Sequence, residues 1–219
     1  MSTLYVALLG AESSGKSSLA QALQQHLGSH STLRVARVDE YLREWCEQAG
    51  RTPRADEQAT IARQQQERIA QAGQHADLVL CDTTPLMTAI YSELLFQDES
   101  LYPTALADQA RMDMALVMAL DLPWVADGQR DGPHMQAPVD QALRRRLRDA
   151  GLPYSVVSGQ GEARLQQALH ALGPLLRGRL TPRDGLFSRL LARQHALGGT
   201  WRCEHCDDPD CELASLQAQ

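Results

Sequence analysis

The stretch Gly10-Ala11-Glu12-Ser13-Ser14-Gly15-Lys16-Ser17 decides the fold of this chain. It has the spacing of a phosphate-binding loop, with a glycine at each end of a short connector and Lys-Ser directly after the second. Such a loop turns successive backbone N–H groups inward around a phosphate, and glycine permits the backbone that does so. The helix that follows adds its N-terminal partial positive charge. In this pattern Lys16 reaches the β- and γ-phosphates and the Ser17 hydroxyl ligates Mg²⁺. The apolar run at residues 4–9 precedes the loop, and Leu19, Leu23 and Leu27 recur at helical spacing after it. This strand–loop–helix context separates the motif from a chance match in a glycine-rich loop. Nucleotide contacts are therefore expected from Gly10, Ala11, Glu12, Ser13, Ser14, Gly15, Lys16, Ser17 and Ser18.

Lys16 is the single lysine of the chain, the other twenty basic residues being arginine. With 21 basic and 27 acidic residues in 219, the net charge of −6 argues against bulk nucleic-acid binding. Hydrophobic residues at 43% and charged residues at 22% describe an ordinary globule with a sizeable core. No stretch approaches the roughly 18 apolar residues of a membrane span. The first residues lack the basic region of a signal peptide, so the cytoplasm is the expected compartment.

Outward from the loop, strand-length apolar runs alternate with helical patterns. Strands are expected at 4–9, 33–38, 78–81, 116–120 and 154–157. Helices are expected at 17–27, 41–49, 56–74, 87–96, 105–113, 139–150 and 162–176. This alternation predicts an α/β fold: a P-loop NTPase-type doubly wound parallel sheet of about five strands with helices on both faces. Residues 1–179 are expected to form that domain, and residues 180–219 a small helical and Cys-rich C-terminal appendage. Ligands bind beyond the carboxyl ends of the strands in such sheets, where the polar residues of this chain gather.

Asp82 ends an apolar strand and fits a second Mg²⁺ contact; its competing role, capping the next helix, is open to Thr83 or Thr84 instead. Glu40 and Arg43 follow the second strand, where a carboxylate can take the proton of an acceptor hydroxyl; Asp39 competes with Glu40 for that role. Arg130, between Gly128 and Gly132, suits a mobile lid whose cation meets the transferring phosphoryl group. Of the arginines at 144, 145, 146 and 148, at most one or two can face a site, because consecutive residues point around a helix. Trp124 stands beyond the fourth strand, placed either for stacking on a flat heterocycle or for core packing.

These residues, read in order, resemble a known family. The loop at 10–17, Glu40-Tyr41-Leu42-Arg43, Asp82-Thr83, Trp124-Val125-Ala126-Asp127-Gly128-Gln129-Arg130 and Gly151-Leu152-Pro153-Tyr154 are similar to the ribosylnicotinamide kinase domain of bacterial NadR-type proteins, here in stand-alone form. The likeness extends over roughly residues 4–176. It implies ATP-dependent phosphorylation of the 5′-hydroxyl of nicotinamide riboside to nicotinamide mononucleotide. Lys16 and Ser17 would handle ATP·Mg²⁺, Asp82 and Glu40 supply carboxylates, and Arg130 serve the lid. Glu40, Tyr41, Arg43, Trp124 and Asp127 would contact the acceptor, with Trp124 stacked on the nicotinamide. Two departures bear on substrate identity: Thr84 and Ala126 stand where the family commonly has aspartate. The family's adenylylation activity is not expected, because the domain that carries it is separate from this one.

Cys203, Cys206 and Cys211 cluster in the last seventeen residues. A Cys-x2-Cys pair with a third soft ligand suits a structural Zn²⁺, with His195, His205 or a carboxylate as the fourth ligand; a reduced acidic tail is the alternative. The competing functional reading is a regulatory ATPase switch that binds a protein through this tail. A kinase for another riboside or a vitamin alcohol is the alternative within the enzyme class, and a zinc-knuckle nucleic-acid binder is disfavoured by the tail's acidity.

Overall fold

The computed structural model describes residues 2–125 and 132–180. Five strands alternate with helices: β1 (Leu4–Leu9), α1 (Lys16–His30), β2 (Val35–Val38), α2 (Tyr41–Ala49), α3 (Gln58–Gly73), β3 (Leu78–Asp82), α4 (Pro85–Phe96), α5 (Tyr102–Gln109), β4 (Met114–Met118), α6 (Gln136–Asp149), β5 (Ser155–Val157) and α7 (Gly161–Leu176). Short 3-10 turns at Ala55–Glu57 and Pro133–Met135 lead into α3 and α6.

The strands form one parallel sheet in the order β2-β3-β1-β4-β5. β1 lies at the centre and is covered on both faces, which is why it reads as an unbroken apolar run. Its side chains alternate between two cores. Leu4, Val6 and Leu8 pack with Leu19, Leu23 and Leu27 of α1 and Leu165 and Leu172 of α7. Ala7 and Leu9 face the opposite layer, with Leu86 and Ile90 of α4 and Val139 and Leu143 of α6. A third cluster places Ile69 of α3 against Val79 and Cys81 of β3. This is the doubly wound sheet expected from the alternation of elements.

The expected elements recur, with shifted ends in the middle of the chain. The helix expected at 105–113 runs from Tyr102 to Gln109, and the strand expected at 116–120 runs from Met114 to Met118. Pairing with β1 sets the start of this strand. Val6 lies opposite Met114, and the Asp113 carboxylate and N–H bond the Tyr5 N–H and carbonyl at 2.8 and 2.9 Å. The long helix expected from residue 56 begins instead as a 3-10 turn. There the Glu57 carboxylate accepts the Arg54 N–H at 2.8 Å and is gripped by Arg51 at 2.6 and 2.7 Å.

Candidate functional site

The carboxyl ends of β1, β3 and β4 converge on the loop that opens α1. Two of its glycines are there of necessity. Gly10 has φ 151° and Gly15 φ 82°, outside the range favoured by residues with a Cβ. A Cβ at Gly10 would fall 3.0 Å from the Met118 Cβ, and one at Gly15 would fall 2.8 Å from Leu122 Cδ1. α1 begins at Gly15 with no side-chain cap and no acidic residue in its first turn. Its leading amides and dipole therefore stay available to an anion. The Lys16 ammonium folds back onto the loop, donating to the carbonyls of Gly10 and Ala11 at 2.9 and 3.0 Å.

The loop is held from outside by contacts that its own sequence does not suggest. Ser13 Oγ donates to the Val125 carbonyl and accepts the Val125 N–H, both at 3.1 Å, and Gln136 donates to the Glu12 carbonyl at 2.8 Å. Beneath it lies Arg164 of α7, only 4% exposed. Its guanidinium donates to the Ser14 carbonyl, to the Asp121 carboxylate and, at 2.7 Å, to the Gly159 carbonyl. One arginine thus ties the phosphate loop to the ends of β4 and β5. In sequence Arg164 is one more arginine on an amphipathic helix; its burial follows only from the packing of α7.

A cavity of about 900 Å³ opens in front of the loop. Residues 10 and 12–18 form one end of it. Glu40, Leu42, Arg43 and Cys46 from the α2 region, Thr52, Pro53 and Gln58 before and at the start of α3, and Met87, Tyr91, Leu95 and Phe96 of α4 line it as well. Leu122, Pro123, Val125 and Gln160 line it from the β4 and β5 ends. A second recess of about 440 Å³ holds Ser17, Asp39, Glu40, Arg43 and Asp82 together.

Glu40 lines both spaces and faces Arg43 across 3.9 Å, whereas Asp39 lines only the second and is bound by Arg37 at 2.7 Å. Asp82 is 2% exposed, and its Oδ1 has no hydrogen-bond partner among the described residues. An unpaired buried carboxylate oxygen is costly, and a cation held with the Ser17 hydroxyl would satisfy it. The donor set of one hydroxyl and one carboxylate fits Mg²⁺, which keeps several waters. Thr83 beside it adopts φ 78°, a strained conformation for a β-branched residue, and its buried Oγ1 also lacks a partner. Sequence reading gave Thr83 only a capping role. Thr84 donates instead to Gln109 at 2.8 Å, directed away from both spaces.

Other expected residues lie elsewhere. The Tyr41 ring lies under the Arg68 guanidinium, 4.4 Å from its centroid, and does not line the cavity. Trp124 is also absent from the lining, although Pro123 and Val125 on either side belong to it. Its indole nitrogen is buried and has no partner among the described residues. Asp127, Arg130, His195, Cys203, His205, Cys206 and Cys211 lie outside the described residues. Among the described residues no group of three or more His, Cys, Asp or Glu side chains is arranged to hold a metal by itself. Burial raises the Cys46 thiol above its ordinary value, and the neighbouring Glu40 carboxylate adds to that effect.

A family model described as an AAA domain matches residues 5–164. No curated protein matches the chain. Among solved structures, NadR in complex with NR is similar at TM-score 0.68 and 22% identity, over 84% of this chain and 54% of that one. NadR in complex with NAD and AMP-PNP gives 0.66 and 20%, over 84% and 52%. Thymidylate kinase from Ehrlichia chaffeensis gives 0.56 and 13%, over 80% and 100%. The chain spans about half the length of the NadR structures it resembles. These likenesses establish a P-loop kinase fold.

Proposed function

The chain belongs to the AAA domain family, and from that premise we propose that it is an ATP-dependent kinase that phosphorylates the 5′-hydroxyl of nicotinamide riboside. The observation that carries this reading is one cavity with two chemically different parts. An uncapped helix N-terminus with Lys16 forms one part of its lining, and the Glu40 carboxylate with the apolar and aromatic side chains of α4 forms another. The first suits a polyphosphate, and the second, with its carboxylate and aromatic faces, suits a cationic pyridinium ring carrying a hydroxyl arm.

In the proposed reaction Glu40 accepts the proton of the acceptor hydroxyl as its oxygen bonds to the γ-phosphorus of ATP. The bond from that phosphorus to the β–γ bridging oxygen breaks, and ADP leaves. Lys16 moves from the loop carbonyls to the β- and γ-phosphates and neutralises charge there. Ser17 and Asp82 would hold Mg²⁺, which supplies further neutralisation of the phosphates when bound. The acceptor ring packs against Tyr91 and Phe96, which line the cavity where Trp124 does not. Asp127 is assigned to the acceptor and Arg130 to the lid on sequence alone. The same holds for the division at residue 180, a cytoplasmic setting and Zn²⁺ on Cys203, Cys206 and Cys211. No helix among the described residues is long and apolar enough to cross a membrane.

The test is ADP release by purified protein with ATP, Mg²⁺ and a panel of ribosides, with product mass measured in parallel. Nicotinamide riboside is expected to gain the mass of one phosphoryl group. Absence of acceptor-dependent ADP release across nicotinamide, nicotinic acid, purine and pyrimidine ribosides would abandon the kinase reading.

A further inference from the structure

The cavity wall formed by the α2 to α4 region contains polar side chains that the reaction does not use, and Gln58 is the most buried of them. Gln58, the first residue of α3, is 3% exposed and lines the cavity. Buried side-chain amides are ordinarily hydrogen-bonded, because leaving donors and acceptors unsatisfied away from water is costly. Among the described residues the Gln58 side chain makes no hydrogen bond, and its amide is not one of the sealed-off unpaired groups, so it meets the open space of the cavity. Gln65, two turns along the same helix and equally buried, shows the contrast: it accepts the Tyr41 N–H at 2.7 Å and donates to the Asp39 carbonyl at 3.4 Å.

The turn that presents Gln58 is fixed. Glu57 is clamped by Arg51 at 2.6 and 2.7 Å and accepts the Arg54 N–H at 2.8 Å, and Arg51 lies over the Trp45 ring at 5.0 Å. A pinned turn therefore holds a neutral amide in the wall of a cavity that Cys46, Pro53 and Phe96 also line. A primary amide offers an acceptor oxygen beside an N–H donor. Its best partner is a second primary amide, which answers with a donor and an acceptor at matching spacing. A carboxylate there would find one donor and meet the amide oxygen with its own second oxygen.

We propose that Gln58 is a specificity-determining residue that pairs with a carboxamide on the acceptor heterocycle and so selects the amide over the corresponding acid. This rests on the riboside-kinase reading above and assigns the part of that site which distinguishes two ribosides of nearly equal shape.

The experiment compares kcat/KM for nicotinamide riboside and nicotinic acid riboside in the parent protein, Gln58→Leu and Gln58→Glu. The parent is expected to favour the amide by about tenfold or more, as sites built around a hydrogen bond do. Gln58→Leu is expected to raise KM for the amide about tenfold, leave kcat within about threefold, and lose the preference. Gln58→Glu keeps the shape and still accepts from the amide N–H, so it is expected to widen the preference by repelling the acid. It also serves if the leucine variant does not fold. ATP KM in both variants monitors the integrity of the phosphate end. The proposal is overturned if a folded variant with the parent's ATP KM also keeps the parent's amide-to-acid ratio. It is equally overturned if the parent phosphorylates both ribosides alike. Turnover of neither riboside by the parent would instead remove the nicotinamide riboside reading on which the proposal stands.

Discussion

Replacing Arg164 by methionine is expected to loosen the phosphate loop while leaving every residue that touches ATP in place. Methionine keeps much of the apolar stem volume, so the loss is confined to the guanidinium. That group makes three kinds of contact: to the Ser14 carbonyl, the Gly159 carbonyl and the Asp121 carboxylate. Each carbonyl left unpaired costs on the order of 1 kcal/mol or more, since water reaches this 4%-exposed position poorly. Asp121, with its side chain 34% exposed, regains water, so the ion-pair share is discounted to about 1 kcal/mol. The expected destabilisation is therefore about 3 kcal/mol, or roughly 6–12 °C in Tm for a domain of this size. Urea unfolding with and without ATP measures it. The loop carbonyl of Ser14 is also freed to move, so the stabilisation given by a fixed ATP concentration is expected to shrink as affinity falls. Arg164→Lys retains the charge but not the planar fork, and is expected to recover only part of the loss. A methionine variant within 1 kcal/mol of the parent, with unchanged ATP KM, would refute the bracing role.

Lys16→Arg is expected to abolish phosphoryl transfer with an unchanged unfolding midpoint, because the planar guanidinium does not fit a point-charge contact inside the loop; turnover within tenfold of the parent would contradict this. Asp82→Asn removes a buried, unpaired carboxylate oxygen, so the ligand-free protein is expected to gain about 1 kcal/mol while losing most activity, and a lowered Tm would count against the assigned role. Arg51 and the Arg54 N–H hold the Glu57 carboxyl down at about 2, and Arg34 does the same to Asp77. Depressed carboxyls stabilise the fold above their unfolded pKa and lose that contribution as pH falls through the folded value. Glu57→Gln and Asp77→Asn should thus be less stable than the parent at pH 7, with the gap closing between about pH 4.5 and about pH 2 in acid titrations. Burial pushes the Cys81 thiol up to about 12, so iodoacetamide at pH 7.5 is expected to leave it unmodified in the native protein, and labelling within minutes in peptide mass maps would show that β3 opens.

The sheet was legible in the sequence because both of its faces are covered. β1, β3 and β4 are buried on each side, and such strands appear as short, unbroken apolar runs between longer helical patterns. Element ends were less legible where a partner strand or a turn fixes them. The start of β4 depends on where it pairs with β1, and the 3-10 turn before α3 depends on a carboxylate reaching back to Arg51 and Arg54. Within the site, Gly10, Gly15, Lys16 and Ser17 declare themselves through spacing. Glu40 and Asp39 could not be separated by sequence, since adjacent residues differ only in the direction they face. The structure turns Glu40 into the cavity and pairs Asp39 with Arg37.

The single lysine, the two loop glycines and the strand-end aspartate follow from local backbone chemistry, and for that reason the sequence by itself determined the phosphate end of the cavity and the parallel sheet that carries it. The acceptor end was decided only by tertiary structure. Gln58 stands on α3 and Tyr91 and Phe96 on α4, Arg164 acts from a helix about 150 residues beyond the loop it braces, and Tyr41 and Trp124 lie outside the lining despite their promising positions. Which face of a helix meets a cavity is set by how the helix packs on the sheet, and residue identity along the chain does not record that packing.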